Sequence, residues 1–488
     1  MSFKLCIIVN RCTLKPNLYL SVLVLVCVLV ATSSYAQNLD VAKKCEISKH
    51  DDNNLTLNCS RRNFYSIPQW PLEISQVTKD GHMLITFFNN SITKVTELPA
   101  TPGGRIAISF KHNRITDIVM DAFQNLERLV YLDLSKNKIS GDVLRTEIFR
   151  GSYNFNKYNN IALETLNLGH NEIHSLDRYL FQYTPNLTRL YLNNNPIELL
   201  DHVTVLAISS ATNLEVLDLS HTDIDNIPLV AFKGLKHLQQ IDLSGNKFTT
   251  VPETLSLVGS SLKFLSFNNN PIVELNDDSF IGLTNLIELE VAENDYLDEV
   301  KRSTFSPLKN LRVLHLCHNR NLRYISHNAF KGLKDKWTLK EVYLDDNDLS
   351  EISPDLMPWT KLDTLGMTGN NWLCNCDLAD IVTLQGAGEK FKTGESPYCA
   401  APLKLSGEYI TNITLSFCPT FDKTFSSKRK FSITNLKPKQ VLWSIFGVAI
   451  VACIGMAIGW LVKSVKNIYK KNRNQPVPYI NLNSNSFA

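Results

Sequence analysis

The sequence predicts an α/β solenoid, in which short strands from successive turns form one long parallel sheet. Two observations predict this fold class. An asparagine with fixed apolar neighbours recurs along most of the chain, mainly at steps of 23–25 residues. The segments that carry it also match one another closely, as in LVYLDLSKNKI (129–139), LETLNLGHNEI (163–173) and LEVLDLSHTDI (214–224). Self-similarity at a period of roughly 20–50 residues is typical of solenoids.

The recurring asparagine defines twelve aligned positions, one of which holds threonine. Three steps depart from the common spacing and measure 34, 27 and 28 residues. The aligned residues are Asn90, Asn113, Asn137, Asn171, Asn195, Thr222, Asn246, Asn270, Asn294, Asn319, Asn347 and Asn370.

The turn LQQIDLSGNKFTTVP (238–252) explains why these positions are fixed. Ile241 and Leu243 lie two residues apart in an extended segment, so both side chains point into the core. The Asn246 side chain can bond backbone groups in the bend that follows, where no ladder partner exists. Because no turn buries its own apolar side chains, neighbouring turns must supply the other wall. Twelve strands at ~4.8 Å predict a sheet about 55–60 Å long.

The segments opposite the strands predict a second row of core side chains. Phenylalanine recurs ten or eleven residues after the aligned position in six turns, and we expect a stacked spine of Phe123, Phe181, Phe232, Phe280, Phe305 and Phe330. The step from Asn195 to Thr222 lacks this ring and predicts a more helical segment. The Thr222 hydroxyl can keep at most one of the bonds that asparagine would make. An insertion at 140–160 predicts a surface loop, either part of a binding face or simply tolerated.

The pattern L-x-x-L-x-L-x-x-N-x-L resembles the leucine-rich repeat family over about residues 55–420. The resemblance implies a leucine-rich repeat horseshoe with short parallel strands on its concave face. Cysteines flank the repeats, and NWLCNCDLADI (371–381) resembles the C-terminal cysteine cap of extracellular members. Cys374 and Cys376 are too close in sequence to pair comfortably with each other. The resemblance implies the disulfides Cys45–Cys59, Cys374–Cys399 and Cys376–Cys418, which require an oxidising secretory route.

The two ends of the chain differ from its body in charge and hydropathy. The net charge of +3 is distributed unevenly: residues 1–36 carry +3, 419–440 carry +5 and 441–488 carry +5, which leaves −10 for 37–418. An acidic body argues against a nucleic-acid partner. Residues 1–36 combine a basic leader, an apolar run and small residues before Ala36, which is typical of a cleaved secretory signal. The alternative is an uncleaved signal anchor.

Residues 441–462 form an uncharged run that, at ~1.5 Å per residue, is long enough to span a bilayer. We therefore expect a single-pass type I plasma membrane protein with an extracellular body and a short cytoplasmic tail. Its predicted segments are a signal peptide (1–36), an N-terminal cysteine cap (37–70), about twelve leucine-rich repeats (71–371), a C-terminal cysteine cap (372–420), a basic stalk (421–440), a transmembrane helix (441–462) and a cytoplasmic tail (463–488).

Smaller motifs suggest modification and self-association. Gly455 and Gly459 form a G-x-x-x-G pattern that permits helix pairing and hence a homodimer. Cys317 remains as a free thiol, either shielded or available for an intermolecular disulfide. The tail segment YINL, which begins at Tyr479, resembles a tyrosine sorting or phosphotyrosine docking motif. Glycosylation is predicted at the acceptor motifs of Asn54, Asn89, Asn186 and Asn412.

The surface of the predicted sheet is the expected site of function. The sequence contains no H-E-x-x-H, G-x-S-x-G, Walker or G-x-G-x-x-G motif, so we expect no enzyme, no cofactor and no metal site. Acidic and large aromatic residues recur at outward positions of the strands, which suits protein recognition. The predicted ligand-binding residues are Tyr131, Arg189, Tyr191, Asp218, Asp242, Phe264, Glu288, Glu290, His315, Glu341 and Tyr343. The alternative is that these residues are repeat consensus and only solvate the surface.

The expected function is that of a cell-surface receptor or adhesion molecule that binds a protein ligand with a basic patch, or a co-receptor. The alternative is an innate immune recognition co-receptor, since Toll-type receptors share such an exterior. The tail at 463–488 has no room for a signalling domain, so a co-receptor of this kind would need a partner to signal.

Overall fold

The computed structural model describes residues 45–413, except 52–53, 72–73, 75–80, 102–103, 334–335 and 393–395. The described residues belong to the first of two compact units, which ends at Phe417. The predicted signal peptide, stalk, transmembrane helix and tail lie outside the described residues. Within the described part of the chain, no helix is both long enough and apolar enough to cross a bilayer.

Fourteen strands, hydrogen-bonded in chain order, form one continuous sheet. They are β1 (Glu46–Asp51), β2 (Asn54–Asn58), β3 (His82–Thr86), β4 (Arg105–Ser109), β5 (Leu129–Asp133), β6 (Thr165–Asn167), β7 (Arg189–Tyr191), β8 (Val216–Asp218), β9 (Gln240–Asp242), β10 (Phe264–Ser266), β11 (Glu288–Glu290), β12 (Val313–His315), β13 (Glu341–Tyr343) and β14 (Thr364–Gly366). The pairs are parallel except for β1 and β2, which form an antiparallel hairpin at one edge. The repeats supply the twelve parallel strands from β3 onwards, and the N-terminal segment adds two that the sequence analysis did not predict.

Each repeat strand buries its central side chain against the next turn. Leu217, Ile241 and Leu265 are paired in register across β8, β9 and β10, and all three are fully buried. The residues on either side of them point to the opposite face of the sheet, because side chains alternate along a strand. The core therefore lies on one face of the sheet, and the other face is available to solvent.

The aligned asparagines join each turn to the one before it. The Nδ2 atom of Asn246 donates to the carbonyl of Leu243 in its own turn (2.9 Å) and to that of Leu219 in the preceding turn (2.8 Å). Its Oδ1 atom accepts from the backbone N–H groups of Thr222 (3.0 Å) and Ile224 (3.2 Å). This buried side chain thus satisfies backbone groups that the parallel ladder leaves unpaired, as the sequence predicts.

Thr222 keeps only part of this arrangement. Its hydroxyl donates to the carbonyl of Leu219 in its own turn (2.7 Å), the bond that asparagine makes at the equivalent distance in sequence. The N–H of Ile197, which an asparagine side chain at 222 would accept from, instead donates to the carbonyl of Asn195 (2.9 Å). At this point the preceding turn therefore forms a hydrogen bond within itself rather than with a side chain of the following turn.

The side opposite the sheet consists of short helical turns and small strand pairs. The α-helices are α1 (His202–Ser210) and α2 (Cys376–Ala379), and Asp380–Leu384 is a π-helical turn. The 3₁₀ helices are Gly141–Val143, Thr146–Phe149, Glu253–Val258, Trp359–Lys361, Ala387–Lys390 and Ile410–Asn412. The small strand pairs are Lys94–Val95 with Asp117–Ile118, Arg150–Asn154 with Lys157–Asn160, and Glu299–Val300 between Glu274–Leu275 and Tyr324–Ile325.

The α/β prediction is wrong in its helical part, and the structure is a β-solenoid. Among the described repeats an α-helix occurs only as α1, in the step between Asn195 and Thr222 that the sequence marks as more helical. Its N-terminus is capped by Asp201, whose side chain accepts from the N–H of Thr204 (2.7 Å).

The predicted phenylalanine spine is continuous in its C-terminal half. Phe305 stacks on Phe280 with ring centroids 6.0 Å apart and on Phe330 at 4.8 Å. In the N-terminal half Phe123 stacks on Phe149, at 6.1 Å, and Phe149 belongs to the 140–160 insertion. The base of the insertion is therefore part of the core, while Phe155 at its tip is 91% exposed.

Disulfides lie at both ends of the described chain. Cys45 is joined to Cys59, and Cys374 to Cys399. Cys376 is also disulfide-bonded, and its predicted partner Cys418 lies outside the described residues. In the C-terminal segment the buried Trp372 indole donates to the carbonyl of Met367 (2.7 Å), so this segment closes the last turn of the core.

Candidate functional site

The outward face of the sheet consists of two rows of side chains, set by the strand register. One row runs through Arg189, Val216, Gln240, Phe264, Glu288, Val313 and Glu341. The other runs through Tyr191, Asp218, Asp242, Ser266, Glu290, His315 and Tyr343. The predicted ligand-binding residues therefore occupy neighbouring rungs of one face, but their side chains differ in how free they are.

Asp218 and Asp242 are engaged in bends of their own turns. Each carboxylate accepts from the backbone N–H and the hydroxyl of the serine two residues later, Ser220 or Ser244, at 2.6–2.9 Å. Burial raises the pKa of Asp218, and the nearby Asp242 carboxylate raises it further. These two aspartates stabilise the ends of strands β8 and β9.

A second group of side chains lies together on β10 to β13, and we call it the acidic–aromatic patch. It consists of Phe264, Glu288, Glu290, His315, Glu341 and Tyr343, all of them half-buried. The backbone beneath it is fixed, because Leu265, Leu289, Leu314 and Val342 from the same strands are buried in the core. The patch therefore presents three carboxylates and three rings from a rigid support.

The rings at the centre of the patch stack on each other. His315 and Tyr343 face one another across β12 and β13, with centroids 4.7 Å apart and an interplanar angle of 8°. Beyond Tyr343 the paired residue is Gly366, which has no side chain to cover the ring. The Tyr343 hydroxyl donates to Glu341 (2.8 Å). Burial, together with this hydrogen bond to Glu341, raises the pKa of Tyr343 to about 12, so it stays neutral at physiological pH.

The two glutamates of β11 are positioned by their neighbours. Glu290 accepts from the Ser266 hydroxyl (2.9 Å) and from the Asn268 amide (2.8 Å). Glu288 lies 3.5 Å from Nε2 of His315. Asn268 was missed by the sequence analysis, since its role depends on the side chain one turn later.

Glu288, Glu290 and His315 bring their ligand atoms within 4.8 Å of one another. Among the described residues this is the one cluster of histidine, cysteine and carboxylate groups close enough to hold a metal ion. The sequence analysis expected no metal site, because His315 and its neighbour His318 offered too few ligands within one turn. The convergence arises between turns, where the register places His315 directly opposite Glu290.

The remaining predicted residues of this face lie nearer its N-terminal end. Tyr131 and Tyr191 are half-buried and Arg189 is exposed. Burial raises the pKa of Tyr131, and Asp133 raises it further. A small hollow of about 190 Å³ lies further along the face, beside Leu84 and Met83 of β3. The N-terminal half is thus less acidic than the acidic–aromatic patch.

Cys317 lies two residues beyond His315 and is a free, half-buried thiol. Burial raises the pKa of Cys317 to about 11, and the Asp345 carboxylate contributes to the shift. Because the thiolate is the reactive form, the structure favours a shielded thiol over ready disulfide exchange.

The predicted glycosylation acceptors lie away from the acidic–aromatic patch. Asn89, Asn186 and Asn412 are exposed, while Asn54 is half-buried and its side-chain oxygen accepts from the N–H of His82 (3.0 Å). No acceptor motif occurs between residues 187 and 411. The C-terminal half of the sheet would therefore remain uncovered if these sites carry glycans.

Comparison with known proteins shows which residues match known repeat families. Residues 212–260, 260–320 and 288–335 match the family model "Leucine rich repeat", and 161–204 match "Leucine Rich repeats (2 copies)". The chain is 31% identical to Tsukushi of Mus musculus over 229 residues, which covers 46% of this chain and 54% of Tsukushi. It is 26% identical to lumican of Coturnix japonica over 309 residues, which covers 58% of this chain and 78% of lumican.

The chain thus spans about half the length of mouse Tsukushi. Among solved structures, the crystal structure of the mouse RP105/MD-1 complex aligns at a TM-score of 0.36 and 17% identity, covering 74% of this chain and 82% of that chain. Residues 161–204 and 212–335 are therefore similar to leucine-rich repeats, and the parallel strands of the sheet continue on both sides of these residues.

Proposed function

We propose that the chain binds a protein ligand outside the cell through the acidic–aromatic patch. The observation that carries the proposal is the concentration of three glutamates around the stacked pair of His315 and Tyr343 on rigid strands. Aromatic side chains bury much area at low entropic cost, and fixed carboxylates select a partner of opposite charge. The partner we infer is therefore a protein with an exposed basic segment and an apolar or aromatic side chain that can cover Tyr343.

The proposal is tested by reversing charge on β11. The double variant Glu288→Lys/Glu290→Lys should weaken binding of a candidate basic partner by tenfold or more in a direct titration, since two attractive contacts become repulsive. The charge-matched control is Glu351→Lys/Glu408→Lys, which changes two exposed glutamates outside the strands of the sheet. Unchanged affinity in the double variant would show that the patch does not bind this partner. Equal weakening in the control would show that the effect comes from net charge alone.

The proposed setting is the plasma membrane, with the repeats outside and a short tail inside. Support comes from the signal-like segment 1–36, the uncharged run 441–462 and disulfides of a kind that form in the secretory route. We further propose that the molecule acts in adhesion or as a receptor for a protein ligand. The co-receptor role in immune recognition stays an alternative, and no contact in the described residues favours it.

Cells that express the full chain distinguish adhesion from ligand capture. An antibody to the repeats should stain intact cells, whereas a tag after Ala488 should be detected only after permeabilisation. Mixing labelled expressing cells should produce aggregates if the protein binds a copy of itself, and no aggregates if it captures a soluble ligand. Staining of the C-terminal tag on intact cells would contradict the proposed orientation.

A further inference from the structure

A groove of about 480 Å³ runs along the edge of the sheet at which the strands begin. Gln239, Lys263, Ile287 and Arg312, which line it, are each the residue immediately before a strand, from β9 to β12. Backbone hydrogen bonds of 2.7–2.8 Å join these four residues in sequence, so their side chains emerge in register along the edge. The groove is distinct from the acidic–aromatic patch, which lies on the outward face of the same strands.

The groove has a positive charge that nothing in its lining neutralises. Lys236, Lys263 and Arg312 line it together with His237, and no aspartate or glutamate does. In the described part of the chain none of the three cations forms an ion pair. The Lys263 ammonium has only the uncharged Gln239 side chain as hydrogen-bond partner (2.8 Å). Such a cluster would attract anions, in a body whose net charge is otherwise negative.

The lack of ion-pair partners is specific to the groove, because the cation at the equivalent position of the neighbouring turn has one. Lys340 occupies the same position before β13, and its ammonium lies 3.4 Å from the Asp363 carboxylate of the following turn. Two turns earlier, the position before β11 is the uncharged Ile287, which is 37% exposed and separates Lys263 from Arg312. The two free cations are thus two turns, or ~10 Å, apart along an open groove.

The other lining groups are hydroxyls and amides rather than rings. Ser260, Ser261, Thr338 and Asn285 contribute them, and the groove contains no aromatic side chain except His237. The Asn285 amide donates to the carbonyl of Ser260 (2.7 Å), which fixes the wall of the groove. Binding sites for proteins are enriched in tyrosine, tryptophan and phenylalanine. A groove of spaced cations and hydrogen-bonding groups instead fits a linear polymer of hydroxyl and sulfate groups.

We propose that this edge groove binds a sulfated polysaccharide, with Lys263 and Arg312 contacting sulfate groups two turns apart and Lys236 extending the site. The open ends of the groove let a long chain continue beyond the contacts. None of the residues that line the groove belongs to an N-glycosylation acceptor motif. The proposal does not depend on the protein ligand proposed for the sheet face.

Heparin binding by the purified full chain in detergent tests the proposal. The basic segment 421–440 will bind heparin as well, so the test is a comparison between variants that all retain it. The double variant Lys263→Glu/Arg312→Glu should bind heparin about tenfold more weakly than the native chain, with a smaller dependence of affinity on salt. The charge-matched control Lys233→Glu/Lys331→Glu changes two exposed lysines outside the groove and should bind like the native chain.

Three outcomes would overturn the proposal. Equal weakening in both double variants would show that only net charge matters, and no weakening in either would place all binding outside the groove. Competition by poly-glutamate as effective as that by heparin, with desulfated heparin inactive, would indicate an acidic protein segment instead. If the Glu variants do not fold by circular dichroism, Lys263→Gln/Arg312→Gln removes the charges without reversal and should weaken binding in the same direction.

Discussion

Single side chains in this molecule have different roles at equivalent positions of the repeat. Asp242 and Glu290 occupy the same row of the sheet face, yet Asp242 bonds to Ser244 of its own turn and Glu290 bonds to residues of the preceding turn. The shorter Asp242 side chain reaches only the bend of its own turn, whereas the longer Glu290 side chain reaches the preceding turn. The consensus and ligand-binding interpretations of this face therefore apply to different residues.

The thiol of Cys317 gives a prediction at the same scale. Because burial raises the pKa of Cys317 to about 11, its thiolate should be about 100-fold scarcer at pH 8 than for a thiol of pKa 9. Labelling of the native chain with a disulfide reagent should accelerate about tenfold per pH unit from pH 8 to 10, since a raised pKa shifts ionisation upwards.

The rate assigned to Cys317 is the difference between the native chain and Cys317→Ser, which corrects for other thiols of the chain. The same thiol should react without this delay once the protein is unfolded. A labelling rate that reaches its plateau below pH 9 would contradict the assigned environment. A Cys317-dependent dimer on a non-reducing gel would show that the thiol is accessible to a second copy.

At the scale of the element, the asparagine ladder determines which turns depend on each other. Most ladder asparagines bond both their own turn and the preceding one, as Asn246 and Asn347 do, so these turns have no complete hydrogen-bonding pattern without their neighbours. At Thr222 one of these links is replaced by a bond within the preceding turn. The α1 helix lies in that preceding turn and contributes other contacts to it, including the Thr204 hydroxyl accepting from the N–H of Leu176 (3.0 Å).

Substitution of Asn246 tests the ladder. Asn246→Ala leaves the buried N–H groups of Thr222 and Ile224 without a partner and should destabilise the array by about 3 kcal/mol. The carbonyls of Leu219 and Leu243 each lose one donor but keep another, the Thr222 hydroxyl and the Asn270 amide. Asn246→Thr should cost less, because a hydroxyl at this position can keep the bond to the carbonyl three residues earlier, as Thr222 does. Hydrogen exchange should accelerate at the amides of Thr222 and Ile224 in both variants.

Asn226→Ala is the matched control, because Asn226 is exposed in the turn that contains Thr222 and Ile224. Its exchange pattern and melting temperature should equal those of the native chain. Equal stability of Asn246→Ala and the control would show that water replaces the side chain at no cost.

For the whole body, most of the architecture follows from periodicity, and the departures have local physical causes. The aligned asparagines predict the register of the twelve repeat strands, because each must face the same interior. The hairpin of β1 and β2 was missed because NLTLN (54–58) carries no ladder asparagine and reads only as a strand-like alternation. The helical content was overestimated, since the period leaves little chain opposite each strand.

The candidate sites were predicted less well than the fold. Outward positions can be read from the register, but the stacking of His315 on Tyr343 depends on rotamers of residues 28 positions apart. The cations of the edge groove could have been found by reading the column of residues just before each strand. The residues of that column are Gln239, Lys263, Ile287, Arg312 and Lys340.

The ladder also bears on how such a chain can change in length. Since a ladder asparagine such as Asn246 bonds only its own turn and the turn before it, the hydrogen-bonding pattern is local, and it is largely the same from one turn to the next. Duplication or deletion of one complete period would restore the same bonds at the new junction and displace none elsewhere. The array can therefore gain or lose whole repeats by duplication or deletion in the gene without interrupting its core, provided that the cysteine-bearing ends are kept.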